Sequence, residues 1–541
     1  MMVRSYFVLL ATPPSDVGPE HWLTIYADAL QLCSMLRYHP LSLTLAASVI
    51  SNYPLTVADY VQEWSKRQLD GNAITADRAL LHSFEISFEE LEHTSPLSAK
   101  LLMLFSFLDH RDMWYDLCLS ATDEDYPSWL RQIATRKRFK EFYDPLRNLL
   151  FVEHKVHVRG GGIAYEIHPA IHEFARWKAM ERGSEAECVR CAVSLVAANV
   201  PRSNDEDFLA KVQRLEPHAD QCKIYMEQDR GGAGLDLVEL KKFGDLFRHL
   251  GRYDEASKFY RGILSLLEEE NPPSLELMAG IENNLGLVYH AQRNYDPAIQ
   301  AYDRSLQKMR QIMTMGDSSA IMFTVYNQGR ALLMLGRLDE SLQSLQEAAG
   351  YFAQQTQDDD ESGGHLLQDE QARIYFRILN DIGEIHLRMK AVDEAEEIFK
   401  ATFDGLKRYL HPLHPATFAV RLNMGRVCIE QHRFATAEKI FRYIIETYMD
   451  WWGRRHSETM RAVAELADAH MRHGEMKRLM GDGGDAQLAS AEQLWSEVLD
   501  FHREVYGASS DIAIMASSKL QMLRLLLHEA TSEDPYNIYY G

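Results

Sequence analysis

A small residue recurs at a nearly constant interval through the second half of the chain, and another small residue follows it twelve positions later. Gly244, Gly286, Gly329, Gly383, Gly425 and Ala467 are spaced by 42, 43, 54, 42 and 42 residues, and Ala256, Ala298, Ser341, Ala395 and Ala437 answer the first five. Self-similarity at such a period marks stacked supersecondary units, because one unit alone cannot bury its apolar face. It predicts an array that offers a long binding surface and no chemistry of its own.

Within a unit, apolar residues repeat at helical spacing on both sides of a turn. In the second unit Leu285, Gly286 and Tyr289, then Tyr295, Ala298 and Tyr302, flank a turn near Arg293-Asn294, which predicts two amphipathic helices per unit. The glycine and the alanine let the two helices approach closely. The residue four positions after the alanine, Tyr260, Tyr302, Leu345, Phe399 or Phe441, is expected to fill the space between neighbouring hairpins. A sixth, degenerate unit runs through Leu466-Ala467, Ala491 and Trp495. The long interval coincides with the acidic segment 358–364, expected to be a disordered loop, and Gly481-Asp482-Gly483-Gly484-Asp485 reads as a flexible insertion between the helices of the sixth unit. Neither has the ligand spacing of an EF-hand loop.

The small, small and bulky positions resemble the tetratricopeptide repeat, and the 42-residue period is similar to the variant found in kinesin light chains and many fungal repeat proteins. The His-Pro-x-Thr cue of that variant is matched by His414-Pro415-Ala416-Thr417, with His456-Ser457-Glu458-Thr459 as a degraded copy. In the tetratricopeptide register two positions face the inner groove. Two residues before the glycine stand Asn284, Asn327, Asp381 and Asn423, and one after it Arg330, Glu384 and Arg426. Asparagine amides can satisfy the backbone of an extended peptide, and arginines can take a carboxylate. In kinesin light chains the equivalent asparagines line a cargo-peptide groove. The resemblance therefore implies a peptide-binding groove formed by Asn284, Asn327, Arg330, Asp381, Asn423 and Arg426; the alternative is that the asparagines bond adjacent helices and support the superhelix.

The N-terminal third carries a second resemblance. Residues 22–52 read as a helical hairpin in which Arg37-Tyr38-His39-Pro40-Leu41 is similar to the Gly-Leu-Pro-Leu motif of the NB-ARC nucleotide-binding domain, with both leading positions changed. Residues 95–109 resemble the winged-helix part of fungal NB-ARC proteins, and 143–152 followed by Gly160-Gly161-Gly162 reads as a helix and a β-wing hairpin. Ile167-His168-Pro169 is similar to the Met-His-Asp motif, with methionine and aspartate replaced, and 214–222 resembles the connector to the repeats. The resemblance makes Pro40 and His168 vestigial nucleotide contacts. A Gly-x-x-x-x-Gly-Lys-Ser/Thr loop, which would cradle phosphates, occurs nowhere. The resemblance as a whole implies a STAND-type protein cut off before its P-loop subdomain, and a nucleotide is not expected for this chain alone.

The net charge of −22 speaks against nucleic acid or an anionic membrane surface as the main partner. Six scattered cysteines fit a reducing compartment. There is no apolar span long enough for a membrane helix, and the first twelve residues are short for a signal peptide, so a cytoplasmic location is expected. His154, His157, His168 and His172 lack the His-Glu-x-x-His order, and Cys188-Val189-Arg190-Cys191 has no second pair at zinc spacing. No catalytic residue, metal ligand or cofactor is expected, and the chain is not read as an enzyme.

The sequence thus predicts a mainly all-α chain: an NB-ARC-like helical remnant over 1–75, a winged-helix-like domain over 76–180, a helical connector over 181–239, a tetratricopeptide superhelix of about six repeats over 240–530, and a tail over 531–541. The expected function is a non-catalytic scaffold or adaptor that takes a protein or peptide in its groove. The alternative is the sensor half of a STAND-type NTPase switch whose P-loop is missing or on another chain.

Overall fold

Prolines stand at the first helical position wherever the sequence sets a sharp start, at Pro40, Pro96, Pro169 and Pro415, because the missing N–H is one the helix cannot use there. The computed structural model describes residues 19–36, 38–52, 55–66, 76–156, 163–201, 207–228, 236–269, 273–312, 319–355, 365–409, 414–508 and 510–532. The acidic segment 358–364, the glycines 160–162, the first twelve residues and the tail from 533 lie outside them. Among the described residues there are 24 helices and one antiparallel strand pair, divided between two compact units, 1–273 and 274–541.

The first unit runs α1 (Pro19–Met35), α2 (Pro40–Asn52), α3 (Val57–Lys66), α4 (Ala76–Thr94), α5 (Pro96–Phe105), α6 (Tyr115–Leu119), α7 (Ser128–Ile133), α8 (Arg136–Asn148), β1 (Glu153–Val156), β2 (Ile163–Glu166), α9 (Pro169–Glu181), α10 (Glu185–Ala198), α11 (Phe208–Glu227), α12 (Leu237–His249) and α13 (Tyr253–Glu269). Residues 22–52, expected to be a helical hairpin, form the two helices α1 and α2, but α1 packs chiefly on α3 and α2 on α4. Where a helix and a β hairpin are expected, α8 is followed by the antiparallel pair β1–β2, in register Glu153 to Glu166 and His154 to Tyr165.

The segment 106–113 after α5 is held by side chains from two distant helices. From α9, His172 Nε2 lies 2.9 Å from the Leu108 carbonyl, and Arg176 donates to the Ser106 carbonyl from Nε (3.0 Å) and Nη2 (2.8 Å). From α11, His218 accepts the Asp109 backbone N–H at Nδ1 (3.1 Å) and reaches the Asp112 carbonyl through Nε2 (3.2 Å), while Arg214 pairs with the Asp112 carboxylate at 2.6 Å. Buried backbone groups outside regular structure need such partners. Burial, and then Arg176, pushes His172 down to about 4, and burial lowers His218 as well, so both rings are neutral.

The second unit runs α14 (Leu275–Ala291), α15 (Tyr295–Ile312), α16 (Ser319–Leu335), α17 (Leu338–Gln355), α18 (His365–Arg388), α19 (Val392–Tyr409), α20 (Pro415–Glu430), α21 (Phe434–Trp452), α22 (Ser457–Leu479), α23 (Asp485–Tyr506) and α24 (Asp511–Ser532). The helix pairs α14/α15 to α22/α23 are repeats 2 to 6, a tetratricopeptide-like helical solenoid; repeat 1 is α12/α13, in the first unit. The 54-residue interval is not all loop. α18 has 24 residues against 17 in α14 and α16, so part of the surplus extends this helix at its start.

The repeat glycines are required by contact. A Cβ would sit 2.3 Å from the Tyr302 ring at Gly286 and 2.5 Å from the Phe441 ring at Gly425, and the other three would meet Tyr260 at 2.6 Å, Leu345 at 2.8 Å and Phe399 at 2.6 Å. The bulky residue therefore seats on the glycine of its own hairpin and also packs in one core cluster with the next repeat, Tyr302 with Ala331 and Leu332, Leu345 with Ile378 and Ile382, and Phe441 with Leu466 and Ala469, as its spacing suggested. The residues twelve after the glycine are fully buried, and Ser341 serves in place of alanine because its hydroxyl donates to the Gly329 carbonyl at 2.7 Å.

Candidate functional site

The first helices of repeats 2 to 6 are cross-linked side by side, and the residues expected to face a ligand supply most of the links. Asn327 is buried and its Nδ2 donates to Asn283 Oδ1 at 3.4 Å. Asn423, also buried, donates to Asn380 Oδ1 at 2.9 Å and accepts from Arg426 Nη1 at 3.1 Å. Asp381 accepts from the Tyr326 hydroxyl at 3.2 Å and pairs with Arg330 at 3.5 Å. Arg426 reaches forward to Glu465, whereas Glu384 pairs within its own helix with Arg388. Asn284 is half-buried on α14.

These links follow one rule. The residue three before the glycine of one repeat bonds the residue two before the small residue of the next: Asn283 to Asn327, Tyr326 to Asp381, and Asn380 to Asn423. The arginine after the glycine bonds that same second position, as Arg330 to Asp381 and Arg426 to Glu465. The partners Asn283, Tyr326 and Asn380 escaped the sequence reading, because residue type at their position changes from repeat to repeat. A search for compensating polar pairs 43 to 55 residues apart would have found them.

Over this strutted wall lies a groove of about 500 Å³ lined by the first helices of repeats 3 to 6. It brings together Arg330, Asp381, Asn423 and Arg426 of the expected set; Asn284 and Asn327 are not part of its lining. It adds Arg377, Glu384, Glu458 and Arg461. Arg461 pairs with Glu458 at 2.8 Å, and Arg330 lies over the Tyr326 ring at 5.7 Å. Arg377 is exposed and forms no ion pair among the described residues. Burial raises the Asp381 carboxyl above its ordinary range although Arg330 pulls the other way. The wall thus presents both donors and acceptors, most of them already paired with one another.

Pro40 and His168 share one local structure. His39 Nδ1 accepts the Ser42 N–H at 3.4 Å and Pro40 opens α2; His168 Nδ1 accepts the Ala170 N–H at 3.2 Å and Pro169 opens α9. His414 does the same for α20 with the Ala416 N–H at 3.1 Å, and His456 for α22 with the Glu458 N–H at 3.3 Å. Histidine here serves as an N-cap acceptor. Capping accounts for the His-Pro-x-Thr cue, in which Thr417 also donates to the His414 carbonyl at 2.6 Å.

Among the described residues no three His, Cys, Asp or Glu side chains converge as a metal-binding group, and no helix is long and apolar enough to cross a membrane. Cys188 and Cys191 are buried, and burial pushes both thiols up to about 12.

A family model of the tetratricopeptide repeat matches residues 237–311, 277–354 and 375–449. The chain is 29% identical over 112 residues to the Arabidopsis thaliana protein kinesin light chain-related 1, covering 20% of this chain and 18% of that protein. It is 21% identical over 228 residues to kinesin light chain-related 2 of the same plant, covering 42% and 32%. The chain therefore spans less than a third of the length of these relatives. A solved structure of a STAND protein with a tetratricopeptide repeat sensor from Pyrococcus horikoshii matches at a TM-score of 0.47 and 11% identity, covering 94% of this chain and 67% of that one. Between residues 237 and 449 the chain carries tetratricopeptide repeats similar to those of kinesin-light-chain-related proteins.

Proposed function

We propose that this chain is a non-catalytic scaffold whose groove over repeats 3 to 6 takes an extended peptide segment of a partner protein. The observation that carries the reading is the groove itself: four successive first helices, fixed to one another by polar struts, present Arg330, Arg377, Asp381, Asn423 and Arg426 along one wall. Struts that are already formed keep the wall in place before a ligand arrives, which lowers the cost of ordering on binding. Asn423 and Asp381 hold neighbouring helices and face the groove at once, and Arg377 offers its charge to a peptide carboxylate. The tetratricopeptide match supports a protein-interaction role for the same residues.

The test uses peptides selected from a displayed library on the full chain. Arg377→Glu, at an exposed position, is expected to weaken their binding about tenfold in a polarisation assay without changing the melting temperature. Unchanged affinity would remove this groove as the binding site.

A further inference from the structure

The position four residues before the repeat small residue carries Leu240, Glu282, Val325, Leu379, Arg421 and Val463. Four repeats place an apolar side chain there and two place a charge, and the two charges are treated differently. Glu282 is answered from the second helix of its own repeat by Arg304 at 2.9 Å and Lys308 at 3.6 Å. Arg421 has Tyr443 where repeat 2 has Arg304, eighteen residues after the glycine in each case. Its guanidinium lies among the rings of Tyr443 (4.9 Å), Phe403 (5.0 Å) and Phe418 (5.4 Å), and its buried Nη1 has no hydrogen-bond acceptor among the described residues. Rings attract the cation but leave its in-plane N–H groups without acceptors.

Beside Arg421 opens a groove of about 550 Å³ walled by Phe403, Met424, Ile440 and Tyr443, with exposed Lys439 at its edge. It shares no lining residue with the groove over the first helices. Lys439, like Arg421, has no anionic partner among the described residues, in a chain whose net charge is −22. We propose that this is a second docking site, for a peptide segment of a partner protein in which a carboxylate side chain adjoins an apolar one. The carboxylate meets Arg421 and Lys439, and the apolar side chain lies against Phe403, Met424 and Ile440. Charge complementarity selects the acid, and the apolar walls select a peptide over a bare anion.

The test uses the full chain carrying Arg377→Glu, so that the first groove is set aside, and a displayed library of short random peptides. Peptides retained by this chain and then rejected by its Arg421→Leu derivative are expected to carry Asp or Glu beside Phe, Trp, Leu or Ile. They should lose about tenfold in affinity with Arg421→Leu and a similar amount with Lys439→Glu, an exposed change that leaves the fold intact. Arg421→Leu restores the residue of repeats 1 and 4, so its melting temperature is expected to hold or rise. The inference is overturned if no Arg421-dependent peptide is recovered, if the recovered peptides lack an acid, or if inorganic phosphate or ATP binds while acidic peptides do not. It is also overturned if Arg421→Leu melts well below the parent with affinities unchanged, which would make Arg421 a structural member of the aromatic cluster.

Discussion

The two units hold themselves together in opposite ways. In the first, the segment 106–113 depends on contacts that occur once, His172 and Arg176 from α9 and Arg214 and His218 from α11, each spanning 64 to 109 residues of sequence. In the second, one contact of a bulky side chain on glycine and one polar strut recur from repeat to repeat. Singular contacts leave no substitute when one is lost, whereas stacked repeats share stability among neighbours and confine the damage. The histidines of the clamp commit their ring nitrogens to the backbone of 106–113, whereas the struts of the second unit vary in residue type from repeat to repeat.

The sharpest break of this comparison is His218→Ala. It removes a fully buried ring and orphans the Asp109 N–H and the Asp112 carbonyl, and a cavity with unpaired backbone groups costs about 3 kcal/mol. Hydrogen exchange should then show 106–113 and α11 opening while α16 to α22 keep their protection. A loss spread equally over both units would undo the contrast. Acid is the next largest effect. The folded state holds His172 down at about 4 through burial and then Arg176, while the unfolded chain protonates near the ordinary histidine value of about 6.5. The stabilisation is therefore complete above about pH 6.5 and is lost as pH falls toward 4, about 2 kcal/mol by pH 5. His218 shifts in the same direction for the same reason. Denaturant titrations at pH 7 and 5 check this; a flat profile would mean that neither ring is held neutral.

What could be read from the sequence followed the same division. The repeat glycines, the buried small residues and the bulky position were legible because side-chain size at fixed spacing is a geometric requirement that every copy must meet. The seat of the bulky residue was legible only in part: its place against the next hairpin follows from the spacing, but the contact of the Tyr302 ring with Gly286 of its own hairpin does not. The inner-wall asparagines were legible as a ladder, but their partners Asn283 and Asn380 were not, because Tyr326 and Leu422 interrupt that position. In the first unit the helices and the β1–β2 strand pair could be read from local pattern. The clamp could not, since single His and Arg residues some hundred positions apart carry no period.

A smaller effect should follow from filling one repeat contact. The Cβ of Gly425→Ala would lie 2.5 Å from the buried Phe441 ring; overpacking costs about 1–3 kcal/mol and the gain in helix propensity returns about 1, for a net loss of about 1 kcal/mol. Gly350→Ala, where a Cβ meets nothing within 4 Å inside α17, should instead stabilise by up to about 1 kcal/mol. Matched melts of the two variants decide the point, and equal shifts would show that the glycines are not held by contact.

The smallest effect tests how far the repeats are copies of one another. Seven residues after the repeat glycine, each of the first five repeats turns through the left-handed region, at Gly251 (φ 75), Arg293 (φ 61), Gly336 (φ 78), Lys390 (φ 65) and His432 (φ 60). A side chain there costs about 1–2 kcal/mol, and glycine recovers most of that while loosening the unfolded chain by about 0.5–1. Lys390→Gly also gives up an ion pair to Glu430 at 2.8 Å, but the lysine is 69% exposed and such a pair contributes little. His432→Gly and Lys390→Gly should therefore each raise stability by about 0.5 kcal/mol, and the double variant by about their sum, because each change relieves the backbone of its own turn and the Lys390–Glu430 pair that reaches from one turn to the other contributes little. A gain from the double variant that exceeds the sum would show that the turns of repeats 4 and 5 are coupled, and the second unit would then resemble the first in depending on particular contacts.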